Sequence, residues 1–162
     1  MNQSACQNRA NEETMVTEEN KKLTWTDFDK LTNKIIQNIH DSNIKFDAII
    51  GIVRGGLFLA GQLSYKLDIK KVYTINTQLY ADKQLISPKV LYFPKDIHFK
   101  NALVVDDILD TGATFNLIND LLKQISDNYH WAILLDKGKS NEKIDFIGQN
   151  INRDIWVEFP WN

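Results

Sequence analysis

Residues Ala102–Thr114 read ALVVDDILDTGAT, and this stretch decides the fold. Ala102–Val105 is a short apolar, β-branched run, the pattern of a strand buried on both faces of a sheet. Asp106 and Asp107 follow where such a strand is expected to leave the sheet. Asp110-Thr111-Gly112-Ala113-Thr114 then leads into Phe115, Leu117, Ile118, Leu121, Leu122 and Ile125, an apolar stripe at helical spacing. A strand, a tight polar loop and a helix N-terminus make an anion site, because loop N–H groups and the helix dipole converge on one spot. One cap suffices for a helix. Asp110, Thr111 and Thr114 together exceed that need, and Gly112 permits close backbone approach.

Working outward, strand and helix patterns alternate. Thr26 to His40 reads as a helix with Thr26 as N-cap and Asp29 three residues on. Asp47–Val53 is a second buried strand, broken by Arg54-Gly55-Gly56 before a helix from Leu57 to Leu67, and Lys71–Thr77 is the next strand. Strand, helix, strand with short connections implies a right-handed unit and a parallel sheet. Gln78–Pro88 has no clear period and is long for a connection, as functional lids are. Lys89–Phe93 reads as a short strand and Pro94–Lys100 as a turn region. His130–Leu135 is another buried strand, followed by the polar loop Asp136–Asn141. Ile144–Ile147 and Ile155–Phe159 are short apolar runs. The expected fold is α/β, with a mostly parallel central sheet flanked by helices.

Residues 1–21 carry too few large apolar side chains to offset the cost of ordering, and are expected to form a disordered tail before one domain over 22–162. Met15 is a second candidate translation start. Over 162 residues, 43 % are hydrophobic, enough for one core. The net charge of −2 gives no general attraction to nucleic acid. No apolar run is long enough for a membrane helix or a signal peptide, so a cytoplasmic location is expected. The single cysteine, Cys6, excludes an intrachain disulfide and a cysteine-cluster metal site. His40, His98 and His130 lack metal-ligand spacing.

Spacing also tests other phosphate chemistries. The chain has no Gly-Lys-Ser/Thr after a glycine loop, and Ile52-Val53-Arg54-Gly55-Gly56-Leu57 is not a three-glycine dinucleotide fingerprint. The aspartates are adjacent or three apart, unlike the phosphatase pattern with one residue between them. In an open parallel sheet, ligands bind at the carboxyl ends of the strands. Arg54, Asp106, Asp107 and Lys137 all follow expected strands, which places four charged groups on one rim.

VVDDILDTGAT resembles the phosphoribosyl-diphosphate (PRPP) signature of the type I phosphoribosyltransferases. Thr24-Trp25, Val53-Arg54-Gly55-Gly56-Leu57, Lys137 and Asp154-Ile155-Trp156-Val157-Glu158-Phe159-Pro160-Trp161 extend the resemblance, in order, to the bacterial xanthine–guanine (6-oxopurine) branch of that family. It implies the type I fold with a small hood or lid region. The implied reaction is purine salvage: the 5-phosphoribosyl group passes from PRPP to guanine, xanthine or hypoxanthine, with Mg²⁺, in a homo-oligomer. On this resemblance Asp110, Thr111, Gly112, Ala113 and Thr114 hold the 5′-phosphate, and Asp106 and Asp107 meet the ribose hydroxyls and Mg²⁺. Arg54 and the Gly55 backbone hold pyrophosphate, and the peptide at that loop is often cis in the family. Asp110 is the proton acceptor, Lys137 reaches the purine 6-oxygen, Trp156 stacks on the ring, and Val157 contacts its edge. Tyr80 is the lid residue, although many relatives carry Ser-Tyr where this chain has Leu79-Tyr80. A PRPP-binding regulator of the same fold and a phosphoribosyltransferase for another base are the rival readings.

Overall fold

The computed structural model describes residues 20–81 and 84–162, without the side chains of residues 79–88. Its elements run β1 (Asn20–Lys22), α1 (Trp25–Ser42), β2 (Ala48–Val53), α2 (Gly56–Lys66), β3 (Val72–Ala81), β4 (Gln84–Tyr92), β5 (Phe99–Leu109), α3 (Ala113–Ile125), β6 (Ser126–Asp136), β7 (Phe146–Asn150) and β8 (Trp156–Glu158). Six strands form one sheet in the order β4-β3-β2-β5-β6-β7, and β1 pairs with β8 in a second, two-stranded sheet. All pairings in the large sheet are parallel except β3 with β4. The mostly parallel α/β sheet is therefore the one expected.

Alternation along the strands divides the core. Ile49, Leu103, Val105, Ala132 and Leu134 face α1 and α2, where Phe28, Ile35, Ile39, Leu59 and Leu63 are buried. Ile50, Ile52, Val104, Trp131 and Ile133 face α3, where Phe115, Ile118, Leu122 and Ile125 are buried. From the adjacent pair β2 and β5, the chain crosses through α2 to β3 on one side and through α3 to β6 on the other. Right-handed crossovers in opposite directions put their helices on opposite faces. The crevice between the carboxyl ends of β2 and β5 is thus the point where strand order reverses, the usual ligand position in such a sheet.

Several sequence expectations are corrected. Thr24, not Thr26, caps α1: its hydroxyl accepts from the Asp27 N–H at 3.1 Å, and the Asp27 carboxylate accepts from the Thr24 N–H at 3.0 Å. This capping box is worth about 1 kcal/mol. It wins because it brings Trp25 into the helix, against Phe28, Phe58 and Trp161. Asn20 and Lys21, assigned by composition to the tail, are strand residues paired with Trp156 and Val157. Backbone pairing, which composition does not report, orders them. Of the aperiodic stretch Gln78–Pro88, the described residues 78–81 and 84–88 are not irregular loop but belong to the antiparallel strands β3 and β4, whose register shifts twice and so breaks strict alternation, while residues 82–83 lie outside the described residues. Residues 1–19, with Cys6, Met1 and Met15, and the Tyr80 side chain lie outside the described residues. None of the described helices is long and apolar enough to cross a membrane.

Candidate active site

β5 is longer than its apolar run. Its pairing with β2 ends at Gly51 opposite Val105, whereas its pairing with β6 continues through Asp106, Ile108 and Leu109. Asp106 and Asp107 therefore do not follow the strand, as the sequence pattern suggests. They sit on a strand overhang that has lost one neighbour and kept the other. This opens their β2 side to the loop that follows Val53.

That loop closes tightly on them. The Val53–Arg54 peptide is cis, and Arg54 is exposed. A Cβ on Gly55 would overlap the Asp107 carboxylate, and one on Gly56 would lie 2.5 Å from the Val105 carbonyl oxygen. Glycine at both positions lets α2 start against the β5 overhang. The two carboxylates are half-buried, and the Asp107 N–H donates to Asp106 Oδ1 at 2.9 Å. Burial and then the neighbouring Asp107 charge push the Asp106 carboxyl well above the usual aspartate range; burial also raises that of Asp107. Among the described residues neither carboxylate has an ion-pair partner, and no cluster of three or more His, Cys, Asp or Glu is arranged to hold a metal.

Beyond Leu109 the chain turns into α3. Gly112 is the helix cap in a left-handed conformation, φ 81°, and no side chain hydrogen-bonds to that helix start. Asp110, Thr111 and Thr114, expected to crowd it, leave it uncapped. Thr111 is exposed, and Ala113 and Thr114 are half-buried. The first turn's N–H groups, with the dipole behind them, thus carry no side-chain hydrogen bond at the cap, although Ser140 and Glu142 pack close to Gly112.

Asp110 is instead turned toward the end of β6. Lys137 Nζ donates to Asp110 Oδ2 at 3.2 Å, and Lys139 Nζ lies 3.0 Å from Oδ1. Oδ1 is buried and lacks a partner in hydrogen-bond geometry, so its contact with Lys139 is ionic. Burial works to raise the Asp110 carboxyl, but Lys139 and Lys137 outweigh it and hold it below the usual range. Lys137 is only 8 % exposed, unlike a solvated loop lysine. Its N–H donates to the Leu109 carbonyl at 3.0 Å, extending the β5–β6 pairing by one step.

The other candidate site residues are carried by β8. Val157 is buried, whereas Trp156 is 64 % exposed and keeps a ring face free. Arg153, just before β8, donates from Nη2 to the Gly138 carbonyl at 2.7 Å. Arg153 and Lys139 escaped the sequence reading. Their only signal was basic character beside residues already singled out, and the contacts span a loop whose path the sequence does not fix.

Residues 23–162 match the model of the phosphoribosyl transferase domain family. The chain belongs to this family and is a phosphoribosyltransferase. It is 32 % identical over 120 residues to the xanthine-guanine phosphoribosyltransferase of Cereibacter sphaeroides, covering 71 % of this chain and 68 % of that one. Among solved structures, a purine phosphoribosyltransferase from Pyrococcus horikoshii superposes with a TM-score of 0.74 at 26 % identity, over 86 % of this chain and 92 % of that one. The xanthine-guanine-hypoxanthine phosphoribosyltransferase of Helicobacter pylori shares the fold, with a TM-score of 0.77 at 24 % identity, over 88 % and 94 % of the two chains. The type I fold expected from the sequence is the observed one.

Proposed function

We propose that this enzyme transfers the 5-phosphoribosyl group of PRPP to a 6-oxopurine in purine salvage, releasing pyrophosphate. The observation that carries the reading is Lys137, a buried ammonium fixed at the rim beside Asp110. Lysine offers donors and no acceptor, which suits the 6-oxygen of guanine, xanthine or hypoxanthine and mismatches the 6-amino group of adenine. The free face of Trp156 suits stacking on the purine, and the Val157 backbone suits its edge.

In this reading the uncapped start of α3, with Thr111, Gly112, Ala113 and Thr114, holds the 5′-phosphate. Arg54 and the Gly55 backbone hold the pyrophosphate. Asp106 and Asp107 meet the ribose hydroxyls and Mg²⁺. The fit to Mg²⁺ rests on donor chemistry: two adjacent carboxylates that have, among the described residues, no ion-pair partner and too few further ligands for a cage suit an ion that takes few carboxylates plus substrate oxygens. Bound there, Mg²⁺ would supply positive charge to the pyrophosphate oxygens. As the bond from C1′ to pyrophosphate breaks, the leaving group departs with the electron pair and the purine nitrogen bonds to C1′. Asp110 takes the proton that this nitrogen sheds. A homo-oligomer in the cytoplasm, with Tyr80 on a lid, completes the reading.

A coupled assay with PRPP, Mg²⁺ and each of guanine, xanthine, hypoxanthine and adenine tests it. The expected result is nucleotide from 6-oxopurines and little from adenine. No product with any 6-oxopurine would sink the assignment, and preferred use of adenine would point to the rival base. For the PRPP half, Gly55→Ala is expected to raise the KM for PRPP at least about tenfold, because the new methyl displaces the Asp107 carboxylate. An unchanged KM for PRPP and an unchanged Mg²⁺ requirement would remove Asp107 from that role.

A further inference from the structure

Lys137 has two duties in the proposed reaction, and it cannot perform both fully at once. Its ammonium lies on Asp110 Oδ2 at 3.2 Å in the free protein, yet it is also the group that meets the oxygen of the base. When it turns to the base, its hold on the carboxylate weakens just as that carboxylate must receive a proton. A second cation is already in place. Lys139 Nζ is 3.0 Å from the other oxygen, Oδ1, on a side chain that is 32 % exposed. The loop that carries both lysines is held by Arg153 on the Gly138 carbonyl and by the Gly138 N–H on Asp136 Oδ1 at 2.7 Å.

We propose that Lys139 is a positioning residue for the transfer, keeping the Asp110 carboxylate oriented and charged while Lys137 serves the substrate base. The proposal rests on the reading of Asp110 as proton acceptor and Lys137 as the donor to the base. Lys139 itself touches neither reacting partner. It acts through Asp110 alone, and its exposure lets it stay there when the buried lysine moves.

The charges around Asp110 come from three places. Lys137, Lys139 and Glu142 belong to the loop after β6, with Ser140 and Glu142 packed near Gly112. Asp106 and Asp107 lie on β5, which ends just before Asp110, and Arg153 stands behind Gly138. Of these, only Lys137 and Lys139 form ion pairs with Asp110. With Lys137 engaged elsewhere, Lys139 is the group that keeps the carboxylate ionised as pH falls.

The test is the single-turnover rate against pH for Lys139→Met and Lys139→Arg, beside Asp110→Asn. Losing a cation beside a carboxylate raises its pKa, so the acidic limb of the Lys139→Met profile is expected to move to higher pH. The rate should fall by up to about twofold at pH 6, more steeply below that, and hardly at pH 8, with the KM for PRPP unchanged. Lys139→Arg should restore the limb. A Lys139→Met profile that keeps the wild-type limb overturns the proposal. The underlying reading fails separately, if Asp110→Asn turns over as fast as wild type. Lys139 lies on a partly exposed loop, so thermal unfolding of both Lys139 variants should match wild type. A loss of rate that is uniform across pH and not rescued by arginine assigns Lys139 a structural role and also overturns the proposal.

Discussion

Asp110→Asn is expected to lower the single-turnover rate by about 10²–10⁴-fold, the usual worth of a positioned general base, while PRPP binding changes little. The amide keeps the size and one acceptor of the carboxylate, so Lys137 Nζ still finds an oxygen where Oδ2 now lies at 3.2 Å. What it loses is the negative charge that receives the proton in the proposed reaction. The wild-type carboxyl, held low by Lys139 and Lys137 against its burial, is ionised at neutral pH and available as a base. A depressed carboxyl is a weak base in isolation. In the proposed reaction, the turn of Lys137 to the substrate base frees one of its two oxygens at the moment of transfer. Equal single-turnover rates for the variant and wild type would exclude Asp110 from proton transfer. A rise in the PRPP dissociation constant matching the whole loss of rate would move its role to binding.

The second large effect is expected from Lys137→Met, which should lower kcat/KM for 6-oxopurines about 10²–10³-fold and narrow the preference over adenine. Methionine fills a volume close to that of the buried lysine stem, so packing is largely kept. The variant does not strand a charge, because Asp110 retains Lys139 at 3.0 Å. What disappears is the donor proposed for the 6-oxygen, and a site that cannot donate there no longer distinguishes an oxo from an amino group. Unchanged base selectivity in steady-state assays of the four purines would place recognition of the 6-position elsewhere. The same variant also separates the two lysines: if Lys139 alone positions Asp110, the acidic limb of its pH profile stays close to that of wild type.

Much of this architecture was legible in the chain because each buried strand prints a β-branched run. DAIIGIV from its second residue, ALVV and HWAILL lie on the sheet, and the stripes from Phe28 to Ile39 and from Phe115 to Ile125 are the buried faces of α1 and α3. Edges were less legible. Thr24-Trp25-Thr26-Asp27 and Thr26-Asp27-Phe28-Asp29 are overlapping cap patterns of equal local quality, and the aromatic contacts of Trp25 decide between them. The β5 overhang is invisible locally because Asp106 and Asp107 are poor strand formers; β6 alone keeps them extended. The β1–β8 pairing joins residues too far apart for periodicity to reveal, and Asn20 and Lys21 read as tail.

The sequence by itself determined the parallel α/β class and the set of polar side chains carried between Asp106 and Thr114, because hydrophobic period, glycine placement and side-chain type are local properties. Only the tertiary structure decided that β2 and β5 are neighbours, and hence that Gly55 must lack a side chain to clear Asp107. It alone decided that Asp110 turns away from the start of α3 toward Lys137 and Lys139. The physical reason is the same in each case. Charge pairing and close backbone approach depend on distances in space between segments that the chain order keeps apart, and no local pattern carries them.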